Sequence, residues 1–160
     1  MTKLVKHLHE GDAAPGFELP ADGGNSVKLR DFEGKNLVLY FYPRDATPGC
    51  TKQAIGFSES MGDFAAANAE IVGVSADSVA SHDKFKEKQS ISFTLASDEE
   101  TKMLQSYGVW VEKSMYGRKF MGIERTTFLI DPDGKIARIW RKVKVPGHVE
   151  DVLAAVKALD

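Results

Sequence analysis

Leu37-Val38-Leu39-Tyr40-Phe41-Tyr42 is an unbroken apolar run with β-branched and aromatic members. It follows Glu33-Gly34-Lys35-Asn36 and stops at Pro43. A strand with one wet face alternates apolar and polar residues, so a run without alternation predicts a strand buried on both faces. Such a strand needs a sheet around it and a layer on either side. Glu70–Ser75 and Thr126–Ile130 read as further core strands, the second closed by the strong turn Asp131-Pro132-Asp133-Gly134. Lys135 to Arg141 is expected to return antiparallel beside it. Phe17–Leu19 and Val27–Leu29 flank Asp22-Gly23-Gly24-Asn25, the pattern of a small hairpin.

Helical periodicity fills the gaps. Ala54, Phe57, Met61, Phe64 and Ala65 share one apolar helical face. Ser78 or Asp77 can cap a helix through Val79 and Phe85, and acidic Ser97-Asp98-Glu99-Glu100 reads as a helix start leading to Met103, Leu104 and Tyr107. Val149, Val152, Leu153, Val156 and Leu159 predict a C-terminal amphipathic helix. Strands alternating with helices and ending in a strand pair give an α/β three-layer sandwich with a central mixed sheet. No Gly/Pro cluster is long enough for a linker and no repeat is present, so residues 1–160 read as a single domain.

Composition narrows the function. The 21 basic and 23 acidic residues nearly cancel, which argues against a nucleic-acid surface. Arg138, Arg141, Lys142 and Lys144 around Trp140 read as a solvated hairpin face. Leu37–Tyr42 is far too short to span a membrane. Met1 to Asp12 has no apolar core, so it does not read as a signal peptide, and the expected compartment is the cytoplasm. The chain has one cysteine, which excludes an internal disulfide framework and a thiolate-rich zinc site. His7-x-His9 lacks a third ligand, His82 and His148 are isolated and expected to be solvated, and no metal or cofactor is expected. No Gly-rich phosphate loop appears in a strand-to-helix context. Met115 to Met121 reads as a basic loop carrying Tyr116 and Phe120.

Pro43-Arg44-Asp45-Ala46-Thr47-Pro48-Gly49-Cys50-Thr51 joins the central strand to the first long helix. Pro48 suits a first helical position, which places Cys50 in the first turn. Free backbone N–H groups there favour a thiolate, the nucleophilic form. Thr47 puts a hydroxyl close to the sulfur. A lone cysteine is more often a small buried hydrophobe. The carboxyl end of a strand entering a helix is, however, where open α/β sheets place their ligands. On position alone, reactive and inert thiols stand level.

The spacing Pro43-x-x-x-Thr47-x-x-Cys50 resembles the active-site signature of the peroxiredoxins. The wider string Tyr40 to Thr51 is similar to the bacterioferritin-comigratory, or PrxQ, branch. Asp12–Phe17, Gly73–Ser78 and Gly122–Asp131 resemble further segments of that family in the same order. The resemblance implies a thioredoxin-like fold and reduction of hydrogen peroxide or organic hydroperoxides. It makes Cys50 the peroxidatic nucleophile, with Thr47 hydrogen-bonding the peroxide. Arg125 stabilises thiolate and developing oxyanion, and Pro43 shields the pocket. Arg suits this task because it stays protonated and offers donors in a fixed plane. The product would be a sulfenic acid.

Two positions depart from the branch. Ile55 stands where many members carry a resolving cysteine, and Ser81–Gln89, the other usual location, has none. Gln53 stands where Glu is common. The resemblance therefore points to a one-cysteine mechanism with an external thiol reductant: thioredoxin, glutaredoxin or glutathione. It further implies a monomer or weak homodimer. A missing resolving thiol also suits a second reading, a peroxide sensor or adaptor that passes oxidation to a partner protein through Cys50. A third is a binding module in which Cys50 is inert.

Overall fold

The computed structural model describes residues 7–159. A small hairpin comes first: β1 (Glu18–Pro20) pairs antiparallel with β2 (Ser26–Lys28). Then follow β3 (Asn36–Phe41), α1 (Pro48–Glu59), α2 (Met61–Ala66), β4 (Ala69–Ser75), α3 (Val79–Gln89), β5 (Thr94–Ser97) and α4 (Lys102–Ser106). β6 (Trp110–Met115) and β7 (Arg118–Ile123) form a second hairpin. β8 (Thr126–Ile130), β9 (Ile136–Trp140) and α5 (His148–Lys157) follow.

β3 is the centre, as its unbroken apolar run predicts. The main sheet has the order β5-β4-β3-β8-β9. β3 runs parallel to β4, and β4 to β5, while β8 and β9 are antiparallel, so the sheet is mixed. Every residue of β3 is buried. Val38 and Tyr40 face α1, α2, α3 and α5, packing with Ala54, Phe57, Phe64, Phe85, Val152 and Val156. Leu37, Leu39 and Phe41 face the other way, under α4 and the N-terminal hairpin, with Val27, Leu104 and Tyr107. Each large apolar side chain so buried contributes roughly 1.5–3 kcal/mol relative to exposure. Gly73 is needed between them: a Cβ there would sit 2.9 Å from the Tyr40 ring and 3.0 Å from Leu95. The missing side chain lets Tyr40 lie across β4.

Four local expectations differ from the structure. The apolar face from Ala54 to Ala65 is not one helix. The chain breaks at Ser60, whose N–H bonds back to Phe57, and this shift of phase buries Phe64 but exposes Ala65. Ser97 ends β5 instead of starting a helix. Asp98 caps α4 from a distance, its carboxylate accepting the Leu104 N–H at 2.8 Å. The basic segment Met115–Met121 is a hairpin, not a loop: Met115 pairs with Arg118 around Tyr116-Gly117, both at positive φ (52° and 77°). That is the turn geometry a tight hairpin demands, reached here without the Asn-Gly that signals it in a sequence. His82 and His148, expected to be solvated, are 0% and 4% exposed.

Candidate active site

β3 ends at Phe41, and Tyr42 to Thr47 carry the chain over the sheet edge into α1. Thr47 is the N-cap and Pro48 the first helical residue, where a missing N–H costs nothing. The first helical hydrogen bond joins Thr51 N–H to the Thr47 carbonyl at 2.8 Å. The Gly49 and Cys50 amides therefore precede the ladder, at the electropositive end of the helix. Cys50 is 1% exposed.

Arg125 lies in the short link between β7 and β8, its backbone carbonyl held by Val143 N–H at 3.0 Å. Its guanidinium reaches across the sheet edge with two donors. Nη2 points at Cys50 Sγ at 3.3 Å, and Nη1 donates to Gln53 Oε1 at 2.5 Å. Gly49 makes room for this approach, because a Cβ there would stand 3.3 Å from Nη2. Gln53 is fully buried, and its Nε2 has no hydrogen-bond partner among the described residues. Arg125 thus meets one sulfur and one neutral amide.

Of the residues singled out in the sequence, Cys50 and Arg125 are in direct contact. Thr47 is near in sequence, but its hydroxyl donates to the Arg44 carbonyl at 2.9 Å, not to the sulfur. Pro43 is half-buried at the start of the same loop, and Arg44 is exposed. The tyrosine beneath the site is held neutral. Burial, then negative charge at Cys50 and Asp45, pushes the Tyr40 phenol well above its ordinary range, against a lowering by Arg125. His148 bonds Thr127 Oγ1 at 2.8 Å, and burial lowers it to about 4 with help from Arg125, despite Asp151 and Glu150.

Sequence reasoning missed Gln53 as the partner of Arg125, and it missed a buried polar cluster behind the loop. Asp45, Asp77 and His82 bring ligand-type atoms within 4.8 Å of one another. Those atoms are already engaged with one another and with Tyr42, Ser75 and Ser81. Both imidazoles of the His-x-His pair, His7 and His9, are exposed, and His9 is 3.9 Å from Asp12. A cleft of about 700 Å³ bounded by Phe17, Leu29, Leu37 and Pro132 lies at the end of β3 remote from Cys50. No helix among the described residues is long and apolar enough to cross a membrane.

A mixed five-stranded sheet, with a cysteine in the first turn of the helix that follows its central strand and an arginine on the sulfur, defines a thioredoxin-like thiol protein. The comparisons with known proteins narrow this. Residues 10–139 match the AhpC/TSA family. Peroxiredoxin Bcp of Bacillus subtilis is 50% identical over 147 residues, covering 92% of this chain and 94% of that protein. Peroxiredoxin Bcp of Xanthomonas campestris is 48% identical over 160 residues, with 99% and 98% covered. The solved structure of a Xylella fastidiosa PrxQ mutant has a TM-score of 0.91 at 42% identity, covering 96% of this chain and 98% of that one. A structure concerned with the alkyl peroxide reduction activity of the Xanthomonas campestris bacterioferritin comigratory protein has a TM-score of 0.86 at 47% identity, covering 89% and 91%. The chain belongs to the AhpC/TSA family, and within it to the Bcp/PrxQ peroxiredoxins, thiol-dependent peroxidases.

Proposed function

We propose that this chain, as one domain, reduces hydrogen peroxide and organic hydroperoxides by a one-cysteine cycle centred on Cys50. The observation that supports this most is the Arg125 Nη2 to Cys50 Sγ contact of 3.3 Å at a helix start. The Cys50 thiolate attacks one peroxide oxygen and the O–O bond breaks. The sulfur becomes a sulfenic acid, and the other oxygen leaves as hydroxide or alkoxide and takes a proton. Negative charge grows on that leaving oxygen, and the Arg125 guanidinium supplies fixed donors toward it. The Thr47 hydroxyl donates its hydrogen bond to the Arg44 backbone carbonyl, which leaves hydroxyl lone pairs free to accept a hydrogen bond from the peroxide O–H. Pro43 covers the loop and excludes water.

With one cysteine in the chain, the sulfenic acid condenses with an outside thiol, releasing water and leaving a mixed disulfide. A second thiol then returns Cys50 to the thiolate. Alkyl hydroperoxides are within the substrate class, in line with the related Xanthomonas protein. The reductant is thioredoxin, glutaredoxin or glutathione, and the enzyme works in the cytoplasm as a monomer or weak homodimer. Cys50→Ser should abolish peroxide consumption. Intact mass under peroxide should read one added oxygen, then a glutathione adduct when glutathione is supplied. Turnover by Cys50→Ser at the wild-type rate would refute the assignment. The lack of an internal second thiol also favours a sensor or adaptor role. Trapping of a protein partner through Cys50, with no turnover on small thiols, would select that reading.

A further inference from the structure

His82 sits on α3, 37 residues from Asp45, and both are buried, at 0% and 7% exposure. His82 Nε2 lies 2.9 Å from the Ala96 carbonyl, which can only accept. Nδ1 lies 2.7 Å from Asp45 Oδ2. Both ring nitrogens face acceptors, an arrangement that favours the doubly protonated ring beside Asp45. Burial alone would push the imidazole down, but the Asp45 hydrogen bond and charge, the Ala96 carbonyl and Asp77 together raise it above 6.5. The remaining Asp45 lone pairs accept from Tyr42 O–H at 2.6 Å and Ser81 O–H at 2.8 Å. The Asp45 N–H donates to Asp77 Oδ2 at 2.8 Å.

This network grips the loop that leads to Cys50 at one residue. The next residue, Ala46, has φ of 63°, a left-handed conformation that strains any side chain with a Cβ. Thr47 and the first turn of α1 follow directly. A strained link is thus held by a charge pair whose second half sits on another helix. Cys50, at 1% exposure, cannot meet a bulky thiol without movement of this segment.

Resting on the peroxidase reading above, we propose that the Asp45–His82 pair is a positioning clasp. It holds the Arg44–Thr47 turn so that Cys50 stays against Arg125 for the peroxide step, and it sets how often that turn opens to admit the reducing thiol. Asp45 and His82 are positioning residues that act through the loop. The two half-reactions therefore respond to the clasp with opposite signs.

His82→Gln and Asp45→Asn test this in single-turnover measurements. Oxidation of Cys50 by hydrogen peroxide should slow by about tenfold or more, since misplacement of reacting groups is costly. Formation of the glutathione adduct from oxidised Cys50 should quicken. Amide exchange at residues 46–51 should rise roughly a hundredfold, the size expected when a buried pair loses one partner. Exchange in β4 should rise no more than the global stability loss requires. If both half-reactions fall together in step with global stability, the pair is merely structural and the proposal is overturned. Unchanged exchange at 46–51 overturns it as well. Should the variants not fold, the wild type decides. The titratable groups facing His82 are Tyr42, Asp45 and Asp77, and burial first keeps the Tyr42 phenol well above its ordinary range. Opening of 46–51, corrected for intrinsic exchange, should increase as pH rises through the raised imidazole value; a flat profile refutes the clasp. Exchange does not depend on peroxide chemistry, so an inert Cys50 would sink the peroxidase reading and leave this result standing.

Discussion

Arg125→Met removes two contacts at once, and the structure lets their consequences be separated. Nη2 faces Cys50 Sγ at 3.3 Å and Nη1 holds Gln53 Oε1 at 2.5 Å. A fixed donor aimed at developing charge is worth about 2.7–4 kcal/mol, or about 10²–10³ in rate. The second loss acts on folding. Gln53 is fully buried and its Nε2 is already unpaired, so losing Arg125 leaves the amide with no partner at either end. A buried polar group so stranded costs about 1–3 kcal/mol. Arg125→Lys keeps the charge but has one ammonium for two acceptors, so its rate should fall only about 10–100-fold. The second-order rate constant for peroxide under excess thiol, paired with urea unfolding, measures both effects. Adding Gln53→Leu to Arg125→Met should restore stability and leave the rate low. The reasoning fails if Arg125→Met stays within about threefold of wild type, or if Gln53→Leu rescues the rate.

Gly49→Ala puts a Cβ 3.3 Å from Arg125 Nη2, so the guanidinium must shift by tenths of an ångström. The peroxide rate should drop about 3–10-fold with little change in unfolding midpoint. Gly73→Ala crowds the Tyr40 ring at 2.9 Å and should destabilise by about 1–3 kcal/mol in urea. His148 at about 4 binds its proton less readily folded than unfolded. Its contribution is complete above about 6.5 and is lost as pH falls toward 4, by about 3 kcal/mol in total, and His148→Gln should flatten that acid limb. His82 has the opposite sign: its raised native value makes stability decline as pH rises through that value, so the two histidines bound stability from opposite sides.

The elements that the sequence disclosed are those whose signal is local. Leu37–Tyr42 declares a buried strand because every residue in it is apolar, and Pro48 declares a helix start because it needs no donor there. Cys50 could be placed in the first turn on those grounds alone. His82 and Asp45 were illegible for the opposite reason. A lone His or Asp in a polar stretch reads as solvated, and only its partner shows otherwise. The partner is 37 residues away on another element. The split of α1 from α2 was hidden too, because Ala65 fits the helical period as well as Phe64 does, while packing selects the larger side chain.

Strand order is what turns these scattered residues into a site. Arg125 is 75 residues from Cys50, but β8 pairs antiparallel with β3 so that Thr126 stands opposite Phe41. The residue before Thr126 must then lie at the edge where the chain leaves β3 for the cysteine loop. β4 and β5 run parallel to β3, so their carboxyl ends reach the same edge. That brings Asp77, after β4, and the Ala96 carbonyl, in β5, to the loop that carries Asp45. α3 starts at this edge, with Ser78 capping it through Ser81 N–H at 3.1 Å, and so delivers His82 to the same place. One edge thus gathers a guanidinium for the sulfur and an ion pair for the loop that presents it. A slip of one residue in β3–β8 would turn the side chains of the slipped strand to the opposite face of the sheet. The observed register, with Thr126 opposite Phe41, is thus what carries Arg125 to the edge where Cys50 lies.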